Sequence, residues 1–225
     1  MAAGYCAPPT HRSAGARCGY PRRVAADQPV ISPDVAHEGV TWAGGVLDDV
    51  DAEDATFVDC SFAGLTVAGG SWERSAWRSC ELTGVRFAGA RLARSRWLDV
   101  RLEGCALSGS ELLGAHLRKV RVSGGVLDVV NLRGATLEDV AFEDCRLREV
   151  DLGGARLSGV TFPGCRIERL DLTKATLARV DLRRAELDVA RGLDRLGGAI
   201  LDVGQVLDLA PALAAQLGID VRHPE

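Results

Sequence analysis

No apolar run in this chain approaches the roughly eighteen residues that a membrane-spanning helix requires. The opening stretch, MAAGYCAPPTHR, also lacks the continuous apolar segment of a secretory signal. These two absences make a cytoplasmic protein with no membrane association the expectation. An excess of one charge is missing too. With 27 Lys and Arg against 31 Asp and Glu, the net charge of −4 is too mild to announce a nucleic-acid binder or a strongly acidic mimic. The seven cysteines include no Cys-x-x-Cys pair and no Cys/His spacing suited to zinc, so reduced structural thiols are expected and no metal or cofactor. No Gly-x-Ser-x-Gly elbow occurs. Gly159-Val160-Thr161-Phe162-Pro163-Gly164 has the glycine spacing of a phosphate loop, but Cys165-Arg166 follows where Lys-Ser/Thr is needed. The four histidines (His11, His37, His116, His223) are scattered, and no catalytic residue is assigned. An enzyme is not expected.

Aromatic residues make up only 5% of the chain, while glycine is abundant at 26. Both follow from what the sequence does have. Every fifth residue from Trp42 to Leu187 is apolar, thirty times in succession. A period of five matches neither the 3.6 of a helix nor the 2.0 of an ordinary strand, and unbroken repetition signals a solenoid in which each unit stacks on the last. Two residues before each of these positions sits a second inward candidate, nearly always small; Ala55, Ser75, Cys80, Val85 and Ser95 are examples. Five cysteines (Cys60, Cys80, Cys105, Cys145, Cys165) occupy that position, where cysteine behaves as a small hydrophobe. Two residues after the central apolar residue, thirteen of the thirty units carry Gly. A corner that needs φ > 0 explains it, so each unit reads as a short extended side followed by a corner.

Three segments result. Residues 1–37 form a Pro- and Arg-containing leader without periodicity, in which Val30 and Ile31 are placed to meet the first coil. Residues 38–190 are the repeat array. Residues 191–225 form a capping segment: the rhythm breaks at 190–198, resumes one residue out of phase at Ala199-Ile200-Leu201 and again at Gly204-Gln205-Val206, and gives way to a helical stripe of Val206, Leu209, Ala210, Leu213, Ala214 and Leu217. Pro211 divides that stripe into a turn near 204–209 and a helix near 211–217, with Gly218 placed as its C-terminal cap.

The pattern A-x-L, as in Ala115-His116-Leu117, Ala135-Thr136-Leu137, Ala155-Arg156-Leu157, Ala175-Thr176-Leu177 and Ala185-Glu186-Leu187, resembles the pentapeptide-repeat family. The resemblance implies an all-β fold, a right-handed quadrilateral parallel β-helix with four pentads per coil. At about 4.8 Å per coil the array becomes a rod on the order of 35 Å long. Residues twenty apart then stack. Trp42, Phe57, Phe62, Trp72, Trp77, Leu92, Trp97, Leu112, Leu132, Leu152 and Leu172 are assigned to the core, with Leu92 through Leu172 in one column. Phe57, Trp77, Trp97 and Leu117 form another, and Ala52 makes room for Trp72. Stacked thiols such as Cys60/Cys80 and Cys145/Cys165 are expected in contact without a disulfide.

The tail beginning at Gly198 also resembles the carboxy-terminal module of the quinolone-resistance members, whose helix forms a two-fold interface. That implies a homodimer, with Val206, Leu209, Leu213 and Leu217 as the interface. It further raises DNA mimicry, an acidic rod occupying the DNA site of gyrase. Taken modulo twenty, however, the outward charges leave no face strongly acidic. The face through Phe57 carries six bases, Arg78, Arg96, Arg118, Lys119, Arg156 and Arg179, against four acids, and no exposed aromatic with which to stack a base. A non-enzymatic scaffold working through a protein partner is the leading reading, with gyrase binding and weak nucleic-acid binding through the basic face as alternatives.

Overall fold

A computed structural model describes residues 30–222. The leader positions Cys6, His11 and Cys18, and His223 at the other end, lie outside the described residues. The array is a parallel β-helix with a strict register of twenty. Trp97 stands opposite Trp77 and Leu117, and Leu127 opposite Leu107 and Leu147. From Ala52 to Ala185 two of every five residues are buried without exception, the central apolar residue and the small one two before it. An extended triplet centred on an inward residue and closed by a left-handed corner gives that pattern. The turn of direction after three residues is what converts the two-residue alternation of a strand into a period of five.

Four sides follow, each identified here by its first fully inward residue. The Phe57 face (residues 55–59 and each set twenty further) is an eight-stranded parallel sheet from Ala36–Glu38 to Thr176–Ala178. The Leu47 face is a second, from Val46–Asp48 to Glu186–Arg191. The Trp42 face has six strands, continued by single bridges at Thr161 and Asp181. The Ala52 face departs from the expectation of equivalent extended sides. Its coils are joined by isolated bridges, Asp51 to Ser71 and onward to Asp171. Here the corner closes with its own hydrogen bond, as from Ala115 N to Leu112 O at 3.0 Å and Ala175 N to Leu172 O at 2.8 Å. A side that turns back so early is too short to form a strand. The inner column of this face is the expected one: Ala52, Trp72, Leu92, Leu112, Leu132, Leu152 and Leu172, all buried.

Corners take positive φ throughout, with or without glycine. Seventeen described non-glycine residues have it, among them Asp54, Asp99, Lys119 and Val129. Short polar side chains tolerate this region; a β-branched one such as Val129 is strained there.

Aromatic rings fill the first coils. His37, Phe57, Trp77 and Trp97 stack in one column, with centroid spacings of 5.4, 4.4 and 4.8 Å. From Leu117 the column is aliphatic. The handover leaves an interior void of about 30 Å³ bordered by Trp97, Leu112, Leu117, Val122, Leu132 and Phe142. The five array cysteines are free and buried. Each donates its thiol to a carbonyl of the coil below, as Cys60 to His37 O at 3.4 Å and Cys165 to Phe142 O at 3.2 Å. Burial pushes the Cys80 thiol up to about 11, which keeps it protonated and unreactive.

The far end breaks register as the sequence suggests. Ala199 pairs with Val180 and Ile200 with Asp181, nineteen residues apart instead of twenty. Gly198 permits this: its φ is 89°, and a Cβ there would collide with the carbonyl of Leu177. The second resumption, at Gly204-Gln205-Val206, is corrected, because those residues lie in a helix. That helix, α1, runs unbroken from Val203 to Gln216 through Pro211, so the division at the proline is corrected too. The carbonyl that Pro211 leaves without its amide belongs to Leu207, which is 68% exposed, and water can serve it there. Asp202 and Gln205 form a capping box at its start, with Gln205 N to Asp202 Oδ1 at 2.9 Å and Asp202 N to Gln205 Oε1 at 3.0 Å. At its end Gly218 adopts φ 75° and Ile219 N donates to Ala214 O.

Candidate functional site

The outward side chains divide the four faces by how their charges are paired. On the Ala52 face Arg74 joins Asp54 at 2.7 Å and Glu53 at 2.9 Å. On the Leu47 face Arg148 grips Asp128 through two hydrogen bonds of 2.6 Å, and Arg169 reaches Glu149 at 2.6 Å. On the Trp42 face Arg183 meets Asp181 at 2.7 Å and Arg101 meets Glu81 at 3.5 Å. Several of these pairs span one coil, because a register of twenty sets an arginine directly above a carboxylate. The Arg74 and Arg148 guanidiniums hold Asp54 and Asp128 below the usual carboxylate range, and a hydrogen bond from Ser71 followed by one from Arg74 does the same for Glu53.

The Phe57 face is different. Among the described residues no ion pair within 4 Å involves it. Its six cations, Arg78, Arg96, Arg118, Lys119, Arg156 and Arg179, are all exposed. Arg179 donates a 3.4 Å hydrogen bond to the Ser158 hydroxyl. Register explains the lack of partners. Arg96 stands opposite Ala76 and His116, and Arg78 and Arg118 flank Leu98. Arg118 does have Glu138 opposite on its other side, yet the two side chains do not close to an ion pair. Arg78, Arg96 and Arg118 line one open groove of about 510 Å³, whose floor includes Ala76, Leu98 and the edges of Trp77, Trp97 and Leu117. Thus three of the six named cations are brought together with His116. Lys119, Arg156 and Arg179 continue the same face beyond the groove.

The second surface is α1. Gln205 and Leu209 are its buried residues, 9% and 8% exposed. The Gln205 side-chain amide donates to Leu182 O at 2.7 Å and Ala185 O at 2.8 Å, satisfying two carbonyls at the end of the last coil. Leu209 is buried within the single chain, so it is corrected as an interface residue; Leu213 is half-buried. Val206 (46% exposed) and Leu217 (77%) remain open, joined by Val203 (77%) and Leu207 (68%). These four fall at i, i+3, i+4 and i+14, one side of a helix that carries a second apolar face. The apolar pattern did not disclose Gln205; the D-x-x-Q spacing with Asp202 was the signal that places the helix start there.

Elsewhere polar groups do not converge. Among the described residues no three His, Cys, Asp or Glu side chains are grouped as for a metal ion, and no helix is long and apolar enough to cross a membrane.

Compared with known proteins, residues 95–172 match the family described as pentapeptide repeat region. No curated protein matches. Among solved structures, a trypsin-treated variant of QnrB1, described as a plasmid-mediated fluoroquinolone resistance protein, is 19% identical, with 87% of this chain and 100% of that chain covered and a TM-score of 0.40. Full-length QnrB1 is 21% identical, covering 82% and 100%, with a TM-score of 0.33. HetL, a pentapeptide repeat protein involved in heterocyst differentiation regulation in the cyanobacterium Nostoc, is 18% identical, covering 80% and 94%, with a TM-score of 0.25. The family match lies at the centre of the array, and the same twenty-residue register runs on through the coils on either side of it.

Proposed function

We propose that the protein is a non-enzymatic scaffold that works through protein–protein contacts and pairs with a second copy of itself through α1. The observation that carries this reading is the two-sided helix. One side holds the buried Leu209 and, through Gln205, closes the coil; the other leaves Val203, Val206, Leu207 and Leu217 in water. A continuous apolar strip of this kind is the usual mark of an interface. A two-fold pairing hides the same strip on both chains and closes the assembly, with no unsatisfied copy left over. Co-expression of a tagged and an untagged copy tests it. The untagged chain is expected in the eluate and is expected to vanish when both copies carry Leu207→Glu and Leu217→Glu. An untagged chain absent from the wild-type eluate overturns the reading.

DNA mimicry at gyrase has less support. It needs free carboxylates spaced like phosphates, whereas Asp54, Asp128, Glu149 and Asp181 are held by arginines. Unchanged gyrase supercoiling at low salt is the expected result, and inhibition there would restore the mimic.

A further inference from the structure

From the charge distribution we infer that the groove on the Phe57 face is a docking site for an acidic polypeptide segment of a partner protein. The inference rests on the scaffold reading and names the partner's chemistry.

Three observations converge. The face has no ion pair among its described residues although every other face of the array does, so its exposed cations stay open to an incoming anion, with Asp54 attracting Arg96 only at longer range. Like charges are also adjacent there: Arg118 precedes Lys119 in sequence. An external carboxylate relieves part of that repulsion. Finally, the groove floor is partly apolar, through Ala76 and Leu98 between the cations, so an apolar side chain of the ligand has a seat.

The same features argue for polypeptide over nucleic acid. The groove spans the four coils from Ala76 to Thr136, on the order of 15 Å at the inter-strand spacing, the length of four or five extended residues. Glu138 lines its far end, and Asp59, Asp99 and Asp139 occupy corners of the same face. A continuous phosphate backbone would meet those carboxylates; a short acidic segment, whose charges are discrete, fits between them. No Trp, Tyr or Phe side chain is exposed among the described residues of the face to stack a base.

Fluorescence anisotropy with a labelled peptide Glu-Glu-Leu-Glu-Glu, its Gln-Gln-Leu-Gln-Gln counterpart and a single-stranded oligothymidylate tests the site on the full chain. The acidic peptide is expected to bind and to weaken with salt. Affinity should fall about tenfold in Arg96→Ala/Arg118→Ala, the loss of two exposed charge contacts, and stay unchanged in Arg148→Ala. No binding of the acidic peptide, equal binding of the Gln peptide, an equal loss in Arg148→Ala, or tighter binding of the oligonucleotide each overturns the proposal. Because all these residues are far from α1, a chain that self-associates but ignores the peptide sinks this inference alone, and one that binds the peptide as a monomer sinks only the pairing.

Discussion

The indole Nε1 of Trp97 donates to the hydroxyl of Ser95, 2.8 Å away and two residues earlier. The Ser95 hydroxyl in turn donates a hydrogen bond to Leu92 O at 2.7 Å. Trp77 and Ser75 repeat the arrangement at 2.9 Å. The small inward position thus supplies the acceptor that a tryptophan in the central position requires. Trp72 has Gly70 at that place and its Nε1 is buried without a partner. Gly70 has no substitute, since a Cβ there would run into the backbone of Val50.

Ser95→Ala strands a buried indole donor and should cost about 1–3 kcal/mol, read from denaturant unfolding. Adding Trp97→Phe to it should recover part of the loss, because the orphaned group is then gone. If Ser95→Ala is neutral, the hydrogen bond contributes nothing to the fold.

Val129 holds φ 54° at an exposed corner where Gly109, one coil below, has φ 58°. A left-handed β-branched residue costs about 1–2 kcal/mol, and glycine returns part of that gain through chain entropy. Val129→Gly should therefore raise the melting temperature by about 2 °C, measured calorimetrically. A fall in the melting temperature would show that the corner is not strained.

His37 lies between the rings of Trp42 and Phe57, 7% exposed, with Nε2 unpartnered. Burial lowers its pKa from 6.5, so the folded chain favours the neutral ring. Stability from this group is complete above the unfolded pKa and is lost as pH falls from about 6.5 toward the lower folded value. Melts between pH 7.5 and 5 should decline in the wild type and decline less in His37→Phe. Identical slopes would remove His37 as the cause.

Gln205→Ala frees two carbonyls at the end of the last coil and breaks the capping box with Asp202. Hydrogen exchange should rise at Leu182 through Ala185 and along α1 while the coils near Leu132 stay protected, with a loss of about 1–3 kcal/mol locally. Uniform exchange throughout would contradict a local cap.

The sequence disclosed the array because a period of five leaves a mark at every position: Leu92, Leu112, Leu132, Leu152 and Leu172 could be stacked by counting alone. Counting also gathered Arg78, Arg96 and Arg118 on one face. It did not reveal that they lack partners, since Arg118 and Glu138 stand opposite in register and still do not pair, whereas Arg148 and Asp128 do. Side-chain direction decides that, and register alone does not contain it. The early closure of the Ala52 face was likewise invisible, because Ala52 and Leu112 follow the same pentad pattern as Leu47 and Leu107. At the tail the apolar stripe was legible, but its assignment was inverted for Leu209. A helix with apolar residues on two sides gives one periodicity, and only Gln205, reaching Leu182 and Ala185, reveals which side meets the coil.

The molar mass of the full chain by light scattering bears most directly on the proposed scaffold. Twice the chain mass of 23.9 kDa is the predicted result, falling to the single value in Leu207→Glu/Leu217→Glu while the far-ultraviolet spectrum stays unchanged. A mass of 23.9 kDa for the unaltered chain at concentrations up to the millimolar range would contradict pairing through α1.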